Sequence, residues 1–223
     1  MNQIKSNDLT HRSNMPTLTA KQVHKVENYR KLNESALSGQ IVCAGSSLME
    51  NFPVERFLAE EKSRTMVYNR GIGAFRMADL MAYLDVCILD LKPSKLFINI
   101  GTNDLNSSVV TDEKLMGDYA QILNKVREAL PDTEIYLMAY YPINYGVASD
   151  AMKPILAIRT NERLQQANAA VQELAKAYGV NYIDINAPLK DEAGRLKAEY
   201  TTEGMHINEA GYRNIFPLLK EYF

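Results

Sequence analysis

Two cysteines in 223 residues are too few for a disulfide framework. They also lack metal-ligand spacing, so Cys43, in an apolar run, and Cys87, in a helical pattern, read as buried reduced thiols. No apolar stretch approaches the ~18 residues of a membrane-spanning helix. Residues 1–15 hold no apolar core of signal-peptide length. The chain therefore reads as soluble and cytoplasmic, without membrane insertion. An excess of charge of one sign is missing too: 25 Lys and Arg stand against 27 Asp and Glu, and the net charge of -2 offers no broad cationic field to nucleic acid. Internal repeats, low-complexity tracts and linkers are likewise missing.

What is present is ordinary globular material. Hydrophobic residues make up 46% and charged residues 23%, which excludes a disordered or fibrous chain and permits one sizeable core. Residues 1–16 are polar and end at Pro16, which predicts a flexible arm, followed by one domain over 17–223. Residues 18–37 carry Val23, Val26, Tyr29, Leu32 and Leu37 at roughly helical spacing and predict an amphipathic helix. Apolar strands are expected at 41–45, 65–68, 95–100, 134–140 and 181–185. Between them, helices are expected over 54–62, 78–91, 112–130, 155–178 and 211–222. The glycine-rich stretch from Asn69 to Ala74 reads as loop. Alternating strands and helices imply right-handed crossovers, and hence a three-layer α/β/α domain around a mainly parallel five-stranded sheet.

Three of the strands run directly into small polar loops: Gly45-Ser46-Ser47, Asn69-Arg70-Gly71-Ile72-Gly73-Ala74 and Gly101-Thr102-Asn103-Asp104. In an open α/β sheet, ligands bind beyond the carboxyl ends of the strands. Taken alone, Gly45 can be a tight turn with Ser46 or Ser47 capping the next helix, and Asn103 can simply build a turn. Of three histidines, His11 falls in the arm and His24 on the charged first helix, which leaves His206. It follows Glu203 by three residues with Gly204 between them, so the carboxylate can fold back onto the imidazole and hold its tautomer. Together these residues supply a hydroxyl, a backbone-rich loop, an amide donor and a carboxylate-histidine pair.

In order and spacing these blocks resemble the SGNH, or GDSL-type, esterases and lipases, from about residue 40 to residue 215. The resemblance implies the flavodoxin-like fold of those hydrolases and an ester-cleaving activity without metal or organic cofactor. Ser47 takes the position of the nucleophile, His206 of the base and Glu203 of the acid. The oxyanion hole is implied at Ser47, Gly73 or Ala74, and Asn103. Three positions depart from the family pattern. Ser46 replaces an aspartate that is not the nucleophile, Ala74 stands where the donor glycine is usual, and Glu203 replaces aspartate. The expected substrate is a small-molecule short-chain or acetyl ester, with Tyr141, Ile143, Tyr145 and Met205 lining the pocket because their loops follow strand ends. Two other readings remain: a non-catalytic binding domain that keeps the fold, and a nucleotide binder. The second is disfavoured, because Gly71-Ile72-Gly73 lacks the third glycine of a phosphate-binding fingerprint. A homo-oligomer is left open.

Overall fold

Strand β1, Ile41–Gly45, is buried along its whole length, as a strand covered on both faces must be. In the computed structural model, which describes residues 16–223, it lies between β2, Val67–Gly71, and β3, Lys95–Asn99. Strands β4, Glu134–Met138, and β5, Asn181–Ile183, follow beyond β3. The order is β2-β1-β3-β4-β5, and every pairing is parallel. Successive side chains point to opposite faces. Val42 and Ala44 thus join Leu96, Ile98 and Leu137 in one core, while Ile41 and Cys43 join Phe97, Tyr136 and Met138 in the other. The predicted arm lies outside the described residues except for Pro16.

Helices α1, Ala20–Asn33, α4, Met77–Ala82, α5, Leu84–Cys87, α6, Asp112–Ala129, and α8, Asn161–Tyr178, cover the first core. Helices α2, Ser47–Glu50, α3, Val54–Glu60, and α9, Glu209–Lys220, cover the second. The long helices form where the sequence supplies both a stripe and a cap. In α6, Leu115, Tyr119, Ile122, Leu123 and Val126 are buried, and the Thr111 side chain accepts from the Lys114 N–H. In α8, Thr160 caps the start and Gly179, at φ 60°, ends the helix in the left-handed region. No helix among the described residues is long and apolar enough to cross a membrane.

Several elements differ from the sequence reading. Strand β2 runs on through Asn69, Arg70 and Gly71, which pair with Cys43, Ala44 and Gly45 of β1 instead of forming a loop. Gly71 is there for close approach: a Cβ would stand 2.3 Å from the Glu50 backbone nitrogen. The helix expected over 78–91 breaks at Tyr83, whose φ of -119° and ψ of 30° leave the helical region, and resumes as α5 and a 3-10 turn. The helix expected over 155–178 is likewise split into α7, Lys153–Leu156, and α8, with Arg159 in the gap. On α1 only Val26 and Tyr29 are buried, while Val23 and Leu32 are exposed, and Leu37, exposed too, lies beyond the helix end at Asn33. That helix is held largely by polar contacts instead: Tyr29 donates to the Gly71 carbonyl at 2.8 Å, and Asn33 accepts from Arg70 at 2.9 Å. Both cysteines are buried and free. Burial pushes both thiols up, that of Cys87 to about 12, so neither is a thiolate near neutral pH.

Candidate active site

The last residue of β1 must be glycine, because a Cβ at position 45 would lie 2.2 Å from the Asn99 carbonyl oxygen of β3. The chain then passes through Ser46, which sits at the N-cap of α2 in an extended conformation. Its hydroxyl makes no capping bond and is buried without a partner among the described residues, so the cap is not a role its side chain fills. Ser47 opens the helix. Its N–H belongs to the first turn, which has no intrahelical acceptor, and its Oγ lies 3.0 Å from Nε2 of His206.

His206 reaches that position through a tight turn. The Thr201 hydroxyl oxygen accepts from the N–H of Gly204 at 3.0 Å, and Gly204 adopts φ 92°. Any side chain at 204 would be strained there and would meet the Asn144 carbonyl oxygen at 2.5 Å. The reversal brings Glu203 back onto its own loop. Its Oε1 accepts from the backbone N–H groups of Met205, at 3.2 Å, and of His206, and faces His206 Nδ1 at 3.1 Å. A carboxylate can only accept. The proton therefore sits on Nδ1, and Nε2 is left as the acceptor for the Ser47 hydroxyl. The imidazole is about one-third exposed and the carboxylate about one-fifth. His24, by contrast, is exposed on α1, and His11 lies outside the described residues.

Of the four expected oxyanion residues, Gly73 has its N–H engaged already, by Glu50 Oε2 at 2.6 Å. Glu50 also pairs with Lys25 of α1 at 3.2 Å, and Gln22 of the same helix donates to the Gly73 carbonyl at 3.0 Å. The loop is thus fastened from both sides, and the next residue, Ala74, lines the cavity together with Ser47, Asn103 and His206. Ala74 adopts φ 62°, a left-handed conformation that costs an L-residue ~1–2 kcal/mol. Replacing it with glycine removes that strain but adds ~0.4–1 kcal/mol of unfolded-state entropy. Ala74→Gly should therefore stabilise the protein by roughly 0.5–1 kcal/mol in denaturant titrations and leave kcat within about twofold, since the N–H is retained. A tenfold loss of kcat would show that the methyl group, not the N–H, is what the site uses.

The cavity above Ser47 holds about 440 Å³. Its apolar wall is Ile72, Met152, Ile155 and Met205, and its polar wall includes Lys25, Glu50 and Asn106. Of the residues expected to line it, Met205 does. Tyr141 and Ile143 are buried in opposite cores, Tyr145 is half exposed, and none of the three borders this cavity. The loop after β4 is tied down instead, Asn161 clasping both the N–H and the carbonyl of Ile143 at 2.9 Å. The sequence reading missed the contributions of α1 and of Met152 and Ile155. The first carries only the signal of a surface helix, Met152 lies in the stretch between the expected loop and helix to which no element is assigned, and Ile155 is the first residue of a segment that reads as one continuous helix.

Comparison with known proteins bears on the family and the fold. Residues 43–213 match the model of the GDSL-like lipase/acylhydrolase family. A solved chain from Streptococcus pneumonia, provisionally described as a platelet activating factor, is 33% identical over 91% of this chain and 92% of its own, with a TM-score of 0.81. A GDSL-like lipase from Bacteroides thetaiotaomicron is 18% identical, with coverage of 88% and 96% and a TM-score of 0.72. A curated Escherichia coli protein, N-acylneuraminate cytidylyltransferase, is 24% identical over 183 residues, 82% of this chain, and the chain spans 40% of its length. With the family model matched from within the first strand into the last helix, the chain belongs to the GDSL-like lipase/acylhydrolase family.

Proposed function

We infer that this protein is a carboxylic ester hydrolase that cleaves short-chain esters, acetyl esters among them, through a Ser47-His206-Glu203 triad and an acyl-enzyme. The observation that carries the reading is the continuous chain from Glu203 Oε1 to His206 Nδ1, 3.1 Å, and from His206 Nε2 to Ser47 Oγ, 3.0 Å, with Ser47 and His206 lining one cavity. Nε2 takes the proton as Oγ attacks the ester carbonyl, and Glu203 favours the imidazolium that results. The tetrahedral oxyanion is received by the N–H groups of Ser47 and Ala74 and by the side-chain amide of Asn103. His206 then protonates the leaving alcohol, and water repeats the sequence to release the acid. Such donors are fixed before the reaction begins, which is why they stabilise developing charge better than water does.

Substrate size follows from the cavity. A volume of about 440 Å³ is toward the lower end of the range for ligand sites, and it is shared between acyl and alcohol groups. Met152, Ile155 and Met205 supply an apolar wall for a short chain, whereas Lys25, Glu50 and Asn106 interrupt any longer apolar path. Steady-state rates on p-nitrophenyl esters from acetate to dodecanoate test this. The expected optimum in kcat/KM is at acetate or butyrate, with a steady fall beyond it. An optimum at decanoate or longer would contradict the short-chain assignment.

A further inference from the structure

Arg159, in the gap between α7 and α8, is 2% exposed, and it is the largest of the fully buried side chains among the described residues. Its contacts are unusual for a buried cation. Nε donates to Asn106 Oδ1 at 2.9 Å, one terminal nitrogen donates to Asn103 Oδ1 at 3.1 Å, and the other lies 3.0 Å from the Met205 sulfur. Its partners are thus two amide oxygens and a thioether, and the carboxylates of Asp104 and Glu203 act on it only from further away. Burial lowers the guanidinium to about 10, against the opposing pull of Asp104 and Glu203, so the side chain remains a cation at neutral pH.

Burying a charge without an ion pair is costly, and an apolar side chain of similar volume commonly serves as well where only packing is needed. What an apolar residue cannot do is choose the orientation of an amide. Guanidinium groups carry donors and no acceptor, so Arg159 can hold Asn103 only by its oxygen. The Asn103 nitrogen is thereby turned the other way. One of its hydrogens goes to the Phe75 carbonyl at 2.9 Å, and the second is left for the cavity that Asn103 lines. Asn106, held by its oxygen in the same manner, lines that cavity too and fixes the plane of the guanidinium from the side. A positive charge on the oxygen of an amide also polarises its N–H bonds, strengthening them as donors.

We propose that Arg159 is a positioning residue of the oxyanion hole, which locks the Asn103 side chain with its amide N–H toward the reacting carbonyl and acts on catalysis through that residue. This rests on the reading of Asn103 as an oxyanion donor. The contact to Met205, next to His206, ties the same guanidinium to the loop that carries the base.

A double-mutant cycle on p-nitrophenyl acetate separates the two claims. Asn103→Ala should lower kcat by ~10²–10³, the usual loss for one oxyanion donor. Arg159→Met should lower kcat by ~10–10² with KM within about twofold, and in the Asn103→Ala background it should add less than about threefold. Parental kcat in Asn103→Ala would remove the oxyanion reading itself. An impaired Asn103→Ala together with an undiminished effect of Arg159→Met in that background would leave the oxyanion reading standing and overturn the positioning role, as would parental kcat in Arg159→Met. Circular dichroism establishes that each variant is folded. Should Arg159→Met fail to fold, Arg159→Lys serves in the same cycle. It keeps the charge but not the fork, and its expected loss of roughly tenfold must likewise vanish when Asn103 is alanine.

Discussion

Ser47→Ala should lower kcat by about 10⁶, the loss seen when the nucleophile of a preorganised triad is removed. The hydroxyl is the only atom deleted, and its hydrogen bond is to Nε2 of His206, a ring that Glu203 and its own turn hold in place independently. Stability should therefore hardly change. The Tm should stay within about 2 °C, because an exposed or half-buried substitution away from the core is ordinarily worth less than ~0.5 kcal/mol. The variant should still bind ester, since the cavity walls and the Asn103 donor remain. A Ser47→Ala protein with rates near the parent would mean that water, and not the serine, attacks.

The second large effect is expected at Glu203, where two substitutions give different information. Glu203→Ala removes the acceptor from Nδ1 and from the two backbone N–H groups that share Oε1. A loss of about 10⁴ in kcat is expected, as for removal of the acid from a serine triad. Glu203→Gln is milder. The three donors all converge on one oxygen, so a glutamine can keep its carbonyl oxygen there, preserving the turn and the imidazole tautomer while losing the charge. A charge-assisted hydrogen bond is worth ~1.5–3 kcal/mol, so the glutamine variant should lose about 10–100-fold in kcat with its Tm unchanged. If Glu203→Gln were as fast as the parent, the glutamate would be a turn residue only, and the machinery would reduce to Ser47 and His206.

The site was more legible in the sequence than the walls around it. Ser47, Asn103 and His206 could be found because each follows an apolar strand or a glycine turn, and the carboxyl edge of a parallel sheet collects such residues wherever the helices lie. Glu203 could be paired with His206 because a three-residue separation across glycine leaves few other arrangements. Gly73 and Ala74 were harder to tell apart, since what distinguishes them is Glu50, which reaches across from α2 to take one N–H of the two. Tyr141 and Tyr145 failed as pocket residues for a similar reason: adjacency to a strand end says which edge of the sheet a residue occupies, not which face it turns to. Tyr141 turns into the core beside Cys43 and Tyr212. Lys25, Met152 and Arg159 come from segments with no strand-end signature, and their position at or beside the cavity arises only from long-range packing. Strand β2 runs three residues beyond its expected end because Gly71 has the sequence signature of a turn residue. In the fold it is a point of close backbone approach.

The most direct test of the account is rapid-quench mass spectrometry of the wild-type chain mixed with p-nitrophenyl acetate, followed by peptide mapping. The account predicts a burst of p-nitrophenol and a single acetyl group on the peptide that contains Ser47, both absent in Ser47→Ala and prolonged when deacylation is slowed by Glu203→Gln. Turnover with no acyl group on Ser47 at any quench time, or an acyl group on another residue with Ser47→Ala still active, would contradict the covalent mechanism at its first step.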